Sequence, residues 1–262
     1  MNKKTIGITG ATGVLGKLLL AKLQEQSYPV SVFEGDIRES AAVAHWIKAA
    51  KCDSIFHLAA VVATSTVEQN PYTAFAVNVG GTINLLNAIQ TSGTNPWVFY
   101  ASTCHVYKSK QTPILEADTI EPINQYGQSK YMAEQMCTLY QKQSKTDLCI
   151  GRIFSFFHAS QKEPFLYPSI KKRIEAHNIE QPFVLEGANN IRDFLNAETI
   201  IDTLIELMLK RVSDTINIGS GQPTSIKDFV HQNFTKNLNI IYKEHEPSFL
   251  VADITKLHSV LK

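Results

Sequence analysis

The sequence has almost no net charge, few cysteines and no long apolar run, and each deficit excludes a class of protein. The formal charge of its 262 residues is +1, which argues against a nucleic-acid or acidic-membrane partner. Its four cysteines have no Cys-x-x-Cys spacing, so we expect free thiols and no metal site. No apolar run would span a bilayer, and the chain enters its first strand too early for a signal peptide, so we expect a cytoplasmic protein.

Apolar strand-like runs alternate with helical patterns along the first part of the chain. Strands are predicted near 4–9, 29–34, 53–58, 97–101 and 147–152, and helices near 14–26, 40–50, 71–92 and 124–144. Such alternation indicates βαβ units and a parallel sheet covered on both faces. We therefore predict an α/β fold, a Rossmann-type doubly wound sheet. A dinucleotide-binding domain would span 1–152, and a small, partly interleaved C-terminal substrate-binding region would span 153–262.

A glycine-rich turn follows the first strand. Gly10, Gly13 and Gly16 have the spacing Gly-x-x-Gly-x-x-Gly and lead directly into a helical pattern. Gly10 suits the tight turn, Gly13 lets the backbone approach a pyrophosphate, and Gly16 lets the helix pack close to the strand. Glycine-rich turns also arise for structural reasons alone, so this motif by itself is weak evidence for a dinucleotide site.

An acidic residue follows the second predicted strand. Glu34 lies eighteen residues after Gly16, where a carboxylate would accept hydrogen bonds from both hydroxyls of a cofactor ribose. The same charge would repel a 2′-phosphate, which favours NAD over NADP. Glu34 also fits an ordinary surface glutamate, and Arg38 nearby would suit a phosphate, so NADP stays possible.

Tyr126 and Lys130 are four residues apart on the long helix predicted over 124–144, so their side chains share one face. A phenol is barely ionised near neutral pH, and an adjacent ammonium group stabilises the phenolate. Thr103 ends the fourth predicted strand, at the sheet edge where ligands of open α/β sheets bind, and its hydroxyl can hold a reacting oxygen. Each feature has a plain structural interpretation, but the combination is much rarer than its parts.

Several ordered motifs resemble the extended short-chain dehydrogenase/reductases, the NAD-dependent epimerase/dehydratase family, nearly from end to end. They are Thr9-Gly10-x-x-Gly13-x-x-Gly16, Gly35-Asp36-Ile37-Arg38, Phe56-His57-Leu58-Ala59-Ala60, Asn78-Val79-x-Gly81-Thr82, Ser102-Thr103 before Val106-Tyr107, Tyr126 with Lys130, Arg192-Asp193-Phe194 and Asn217-Ile218-Gly219-Ser220-Gly221. The resemblance implies that Tyr126 is the acid/base, Lys130 its electrostatic partner and ribose ligand, and Thr103 the hydroxyl that polarises the substrate.

The glycine turn and the resemblance together give a set of expected cofactor-binding residues. The set is Gly10, Thr12, Gly13, Val14, Leu15, Gly16, Glu34, Asp36, Ile37, Leu58, Ala59, Ala60, Asn78, Ala101, Tyr126, Lys130 and Ile153. Asp36 and Ile37 would flank adenine, Leu58 to Ala60 would line the cofactor cleft, and Asn78 would lie beside the active site.

The chain departs from the family pattern at several positions. Cys104 and His105 replace the acidic pair that follows the threonine in relatives that eliminate water, which disfavours dehydration. His105 would be either an auxiliary acid or a hydrogen-bonded residue of the cleft wall. Ser155 replaces an asparagine that contacts a substrate diphosphate, which weakens the case for a nucleotide sugar. The segment between the second and third strands is short and the chain ends early, so we expect a reduced substrate lid.

The sequence leaves three functions open. The first is an NAD-dependent sugar-nucleotide epimerase of the 4-epimerase type, in which hydride passes between nicotinamide and a secondary alcohol carbon. The second is an NAD(P)-dependent ketoreductase or dehydrogenase acting on a sugar or a smaller substrate, and the third is a non-catalytic NAD(P)-binding sensor. The resemblance also implies a homodimer through the tyrosine-bearing helix and its neighbour, with apolar surface from Ala74, Phe75, Ile83, Leu86, Met132, Met136 and Leu139.

Overall fold

The computed structural model of the protein describes residues 4–144, 146–177, 181–234, 239–243 and 246–262. Its strands are β1 Ile6–Thr9, β2 Val30–Val32, β3 Ser54–His57, β4 Trp97–Thr103, β5 Leu148–Ile153, β6 Ser155–Phe157, β7 Phe183–Glu186, β8 Ile191–Asn196, β9 Thr215–Ile218, β10 Pro223–Ser225, β11 Ile240–Lys243 and β12 Phe249–Leu250. Its α-helices are α1 Val14–Glu25, α2 Ser40–Ala50, α3 Thr64–Gln69, α4 Pro71–Phe75, α5 Gly81–Ser92, α6 Gln125–Ser144, α7 Leu166–Glu175, α8 Ala197–Leu209, α9 Ile226–Asn233 and α10 Thr255–Leu261.

The central sheet contains six strands in the order β2-β1-β3-β4-β5-β9. Every neighbouring pair in it is parallel. The chain runs outward from β1 to β2 and then crosses back to β3, so the winding direction changes between β1 and β3. In doubly wound sheets the crevice at such a switch point, outside the carboxyl ends of the strands, is where ligands bind. The predicted Rossmann-type fold is confirmed.

Two apolar layers cover the sheet. On one face, Leu19 of α1 and Leu204 of α8 belong to a cluster that contains the buried side chain of Phe56. On the other face, Leu85 of α5 belongs to a cluster that contains Ile55. Ile55 and Phe56 are consecutive on β3, and successive side chains of a strand point to opposite faces. The near-continuous apolar runs of the strands therefore reflect burial on both sides.

The helix predicted over 71–92 is interrupted in the structure. α4 is followed by a π-helical turn over Ala76–Gly80 and then by α5. The side chain of Asn70 caps α4 by accepting a hydrogen bond from the backbone N–H of Thr73 at 3.1 Å. The π-helical turn carries the buried Asn78, whose bonds to neighbouring elements are described below. Single π turns inside helices occur often at functional sites.

The chain beyond residue 152 builds a second, smaller set of strands. β8 pairs with β6, β10 and β12, and β7 pairs with β11. β9 nevertheless joins the central sheet, and α8 packs against α1. The division between 1–152 and 153–262 stays a prediction. Within the described part of the chain, no helix has both the length and the apolar content needed to cross a bilayer.

Candidate active site

The glycine turn lies at the switch point and packs against the loop that follows β3. Gly10 has a φ of +75°, and a Cβ there would lie 2.5 Å from the backbone nitrogen of Ala59. A Cβ on Gly16 would lie 2.2 Å from the carbonyl oxygen of Gly10. Both positions therefore require glycine, one for the left-handed turn and both for close packing. The turn brings Ala59, a predicted cleft residue, directly beside β1.

Gly13 differs from the other two glycines of the turn. A Cβ there would meet one protein atom within 4 Å, the carbonyl oxygen of Gly10 at 3.4 Å, so the fold itself leaves room for a side chain. Gly13 is the N-cap of α1, where no side chain caps the helix and the first turn holds no acidic residue. An uncapped, exposed helix N-terminus with backbone that a ligand can approach fits a pyrophosphate.

A buried histidine, which the sequence analysis gave no role, fixes the loop that lines the cleft. The Nδ1 of His57 lies 2.7 Å from the Thr9 hydroxyl, and its Nε2 lies 3.0 Å from the Thr82 hydroxyl. The Thr82 hydroxyl donates to the carbonyl of Asn78, so it accepts from Nε2–H, and Nδ1 accepts from Thr9. Thr9 in turn accepts from the backbone N–H of Ala59 at 3.3 Å. Burial lowers the pKa of His57 to about 3, so the ring is neutral.

Asn78 is a positioning residue in this structure. Its Oδ1 accepts from the backbone N–H of Val61 at 2.8 Å, and its Nδ2 donates to the carbonyl of Val61 at 3.0 Å. The same Nδ2 donates to the Ser129 hydroxyl at 2.9 Å. Ser129 donates to the carbonyl of Tyr126. Asn78 therefore joins the cleft loop after β3 to the first turns of α6, and the sequence motif around it predicted its location but none of these bonds.

The predicted catalytic residues meet above the carboxyl end of β4. Thr103 is the last residue of β4, and Tyr126 lies in the first turn of α6. Burial raises the pKa of the Tyr126 phenol well above its ordinary value, and the Thr103 hydroxyl opposes that shift. α6 comes this close because of Gly127, where a Cβ would lie 2.2 Å from the carbonyl oxygen of His105.

Lys130 lies one helical turn after Tyr126 on α6. Its side chain is buried, and its Nζ lies 4.3 Å from the ring centroid of Tyr100. Among the described residues, no hydrogen bond or ion pair of the Nζ with an acceptor side chain or backbone oxygen is present. Burial lowers the pKa of Lys130 to about 8, although Glu134 acts in the opposite direction. A buried ammonium group without a protein acceptor fits a ribose hydroxyl or a phenolate as its missing partner.

His105 forms one wall of the cleft beside Tyr126. The two rings meet edge to face, with centroids 5.7 Å apart. Asn124 accepts from the backbone N–H of Gly127 at 2.8 Å and places its Nδ2 2.9 Å from the Nδ1 of His105. Nδ1 is thus the acceptor, and Nε2 carries the proton. Burial and the charge of Arg192 lower the pKa of His105 to about 4, so the ring is neutral near pH 7.

Arg192 is a second uncompensated cation near the site, and the sequence analysis noted its motif without giving it a role. Its guanidinium donates to the carbonyls of Ile191 and Ser248 and to the Ser248 hydroxyl, at 2.8 to 3.0 Å. In the described ranges it has no carboxylate partner. The neighbouring Asp193 accepts from the backbone of Ser220, Gly221 and Ala252 instead. The charge of Arg192 therefore remains available to an anion.

The predicted adenosine-binding residues differ in how accessible their side chains are. Glu34 is exposed two residues beyond the end of β2. Asp36 is bound by Arg38, whose Nε lies 3.0 Å from both carboxylate oxygens, and this contact lowers the pKa of Asp36 to about 2. The side chains of Ile37 and Ile153 are 5% and 7% exposed. Both isoleucines thus belong to the apolar core, which leaves little of their side chains for a cofactor.

The turn with Gly10, Gly13 and Gly16 follows β1, Leu58, Ala59 and Ala60 follow β3, Thr103 ends β4, and Tyr126 and Lys130 lie in the first turns of α6, so all of them flank the carboxyl edge of these strands. Thr12, Val14 and Leu15 belong to the same turn and helix start, and Ala101 lies on β4 two residues before Thr103. Across the described ranges, no three His, Cys, Asp or Glu side chains converge in a way that would hold a metal ion. The site has the groups for proton transfer at an alcohol beside a dinucleotide.

Comparison with known proteins gives relatives along nearly the whole chain. The model of the GDP-mannose 4,6 dehydratase family matches residues 17–255. A UDP-glucose 4-epimerase of Rhizobium leguminosarum bv. trifolii is 26% identical over 303 residues, which cover 100% of this chain and 92% of the relative. A GDP-6-deoxy-D-talose 4-dehydrogenase of Aggregatibacter actinomycetemcomitans is 27% identical over 271 residues, which cover 97% of this chain and 90% of the relative.

Solved structures share the fold. The RMD protein of Pseudomonas aeruginosa, complexed with NADPH, has a TM-score of 0.86 and 23% identity, covering 98% of this chain and 92% of that one. The UDP-glucose 4-epimerase of Thermus thermophilus, complexed with NAD, has a TM-score of 0.82 and 18% identity, covering 97% and 92%. These findings confirm the predicted family resemblance. The chain belongs to the GDP-mannose 4,6-dehydratase family, whose members are NAD(P)-dependent enzymes of the extended short-chain dehydrogenase/reductase type.

Proposed function

We propose that the protein is an NAD-dependent sugar-nucleotide epimerase of the 4-epimerase type, with Tyr126 as its acid/base. The observation that carries this proposal is that Tyr126 and Thr103 are close enough for their hydroxyl groups to interact, with Lys130 one helical turn further along α6. The uncapped start of α1 follows β1 at the same edge of the sheet. The relatives named UDP-glucose 4-epimerase support the assignment.

NAD fits the residues of the crevice better than NADP. The start of α1 at Gly13 would hold the pyrophosphate, and Lys130 would donate to the nicotinamide ribose. Glu34 has no partner among the described side chains, so it is free to accept from the adenosine ribose and would repel a 2′-phosphate. Arg38 already binds Asp36, which removes the cation that a 2′-phosphate would need. NAD, when bound, supplies the centre that accepts and returns a hydride.

The protein's own side chains would transfer the proton of the substrate hydroxyl. Thr103 and Tyr126 would both contact the hydroxyl of a secondary alcohol, and Tyr126 would take its proton as the carbonyl forms. The pKa of the phenol is raised in the buried site, so the ammonium of Lys130 is needed to stabilise the phenolate. On reduction the same phenol returns the proton. If the keto sugar rotates in the site before it is reduced, its other face receives the hydride, and the product is the epimer.

A nucleotide diphosphate is the substrate anion that the cleft favours. The guanidinium of Arg192 has no carboxylate partner among the described residues, and its charge helps to lower the pKa of His105. An anion there would gain a charge-assisted hydrogen bond. This cation compensates for Ser155, which stands where relatives have an asparagine. Neutral His105 and the buried thiol of Cys104, whose pKa burial raises, replace the acidic pair of water-eliminating relatives, so dehydration is disfavoured.

The alternative function is a ketoreductase or dehydrogenase on a related sugar. Two findings favour it over the remaining choices. One is the relative named GDP-6-deoxy-D-talose 4-dehydrogenase, and the other is the fold neighbour that holds NADPH. A non-catalytic NAD(P) sensor is disfavoured because the chain keeps Tyr126, Lys130 and Thr103 in one cluster.

We further infer a cytoplasmic homodimer that forms through α5 and α6. Lys142 is the one charged residue among the exposed residues of α5 and α6, and the uncharged ones include Ile83, Asn87, Gln90, Gln128, Met132, Gln135, Thr138 and Leu139. Ala74 and Leu86, which are predicted to belong to this surface, are instead 0% and 5% exposed, because both pack into the core. All four cysteines are buried free thiols, which suits a reducing compartment.

The dimer is tested by light scattering at micromolar concentration. Leu139→Lys should give a monomer, because it replaces an apolar side chain of the proposed contact by a charged one. Leu209 is also exposed but lies on α8, so Leu209→Lys is the matched control and should leave the dimer intact. A monomeric wild-type protein would contradict the proposed homodimer.

The activity is tested by identifying the cofactor released from freshly purified, denatured protein by mass spectrometry, with its ratio to the chain. Near-stoichiometric NAD, together with interconversion of UDP-glucose and UDP-galactose, would support the epimerase. A site that exchanges NADH or NADPH rapidly and reduces a keto sugar would support the reductase. Tyr126→Phe should abolish either reaction while retaining the cofactor, and full activity in this variant would exclude Tyr126 as the acid/base.

A further inference from the structure

The strongest feature outside the crevice is a buried ion pair on the catalytic helix. Tyr126, Lys130 and Glu134 follow one another at four-residue intervals on α6, so they form one stripe facing the sheet. The side chains of Glu134 and Arg152 are 4% and 8% exposed. The Nη2 of Arg152 lies 2.7 Å from Oε2 of Glu134, and its Nε lies 3.1 Å from Oε1. This is the two-pronged geometry of a strong arginine–carboxylate pair.

The ion pair is joined to the strand that carries Thr103. Ser102 donates its hydroxyl hydrogen to Oε1 of Glu134. Ser102 on β4 and Arg152 on β5 are directly opposite each other in the parallel pairing. One carboxylate on α6 is therefore held by two adjacent strands, at the position just before Thr103. The other end of the guanidinium donates to the Tyr107 hydroxyl at 2.7 Å, which ties the clamp to the chain that follows β4.

We propose that Glu134 and Arg152 are positioning residues for the Tyr126–Lys130 pair. They set where α6 sits above Thr103, and they balance the charge around Lys130. The inference rests on the proposed function in assuming that Lys130 binds the cofactor ribose. It adds two residues that the sequence analysis did not select.

Charge balance around Lys130 depends on this pair because the other titratable neighbours are uncharged near pH 7. Burial lowers the pKa of His57 on β3 to about 3. Burial raises the pKa values of Tyr100 on β4 and of Cys137 on α6, as it does for Tyr126. Glu134, one helical turn from Lys130, is the carboxylate that raises its pKa against the effect of burial.

The two partners should have opposite electrostatic effects. Glu134→Gln leaves Arg152 unpaired and adds net positive charge beside Lys130, so Lys130 should lose its proton at a lower pH. Arg152→Met leaves the carboxylate unpaired, so Lys130 should keep its proton to a higher pH. At the distance of one helical turn, each shift should be about one pH unit. A merely structural contact would give the same defect in both variants.

The experiment measures NADH affinity against pH by fluorescence, which requires no sugar substrate. NADH affinity should be lost as the pH rises and Lys130 loses its proton. We expect the midpoint of this loss to lie at a lower pH in Glu134→Gln and at a higher pH in Arg152→Met. In the double variant the midpoint should return toward the wild-type pH. Asp147 and Arg211 form an exposed ion pair at 3.0 Å. Asp147→Asn and Arg211→Met are therefore the matched controls, and neither should change the pH at which NADH affinity is lost. Shifts in the same direction, or none, in the two buried variants would overturn the inference.

Conservative variants cover the case in which a broken buried pair prevents folding. Glu134→Asp and Arg152→Lys keep both charges but alter reach and geometry, and arginine and lysine are not equivalent at a two-pronged site. Both variants should bind NADH about fivefold more weakly because α6 shifts. The pH at which NADH affinity is lost should stay at the wild-type value. Full affinity in both would overturn the positioning role. Opposite pH shifts without turnover of UDP-sugars would support this inference while the proposed epimerase activity fails.

Discussion

Gly127 lies so close to His105 that a methyl group on it would overlap the His105 carbonyl oxygen at 2.2 Å. The contact joins α6 to the turn that follows Thr103, and Asn124, the residue before α6, adds a second link by bonding to both the Gly127 backbone and the His105 ring. The distance between Tyr126 and Thr103 is therefore set by backbone packing at a glycine. A rigid separation of this kind is what a proton-transfer site needs.

Gly127→Ala should lower activity and stability together. The added methyl has no room, so α6 must move away from the 104–106 turn, at a cost of about 1–3 kcal/mol in the free energy of unfolding. Gly80→Ala is the control, because a Cβ on Gly80 meets nothing within 4 Å and its helical φ is −59°. It should leave activity unchanged and stability equal or slightly higher. Urea unfolding and turnover would be measured for both, and an active Gly127→Ala enzyme would contradict the packing argument.

Lys130→Met should change how stability depends on pH. Burial lowers the pKa of Lys130 to about 8 in the fold, from an ordinary value of 10.5. Between these values the unfolded chain binds more protons, so this residue's contribution to stability rises with pH over that window. The variant should lack the rise and be more stable at pH 7, by about 3 kcal/mol at most. Gln128→Met, a non-titrating change on the same helix, should keep the wild-type curve.

His57→Gln should weaken the acid sensitivity of the fold. Burial holds the pKa of His57 at about 3, below its ordinary value of 6.5. As the pH falls from 6.5 toward 3, the unfolded chain takes up a proton that the fold cannot, and stability falls by about 1.4 kcal/mol per pH unit. Thermal melts of the two proteins between pH 4 and pH 7 would show a shallower slope for the variant. Parallel slopes would mean that the imidazole takes up its proton in the folded state.

Glu34→Gln should relax the choice of cofactor. Removing the exposed carboxylate removes the repulsion of a 2′-phosphate, so NADP affinity should rise about tenfold relative to NAD affinity. Titration of both cofactors gives the ratio. The control is Glu39→Gln, an exposed glutamate at the N-cap of α2, which should leave the ratio unchanged. An unchanged ratio in Glu34→Gln would assign the choice of cofactor to another residue.

The local features of this protein follow from its sequence. Helical periodicity puts Tyr126 and Lys130 on one face, and the glycine spacing predicts the turn before α1, because both depend on residues close together in the chain. Alternating strands and helices predict the parallel sheet for the same reason. The carboxyl edge of that sheet then gathers Thr103 and the glycine turn.

Tertiary structure alone decided which side chains have partners. Glu134 is joined to Ser102 and Arg152 across gaps of 32 and 18 residues, and Asn78 reaches Ser129 across 51. No local pattern encodes such contacts, because they depend on which strands and helices become neighbours. The same holds for burial: Leu86 lies in the core, whereas Ile83 on the same helix is 43% exposed. The sequence therefore determined which groups are available for the proposed chemistry, and long-range packing decided which of them have protein partners.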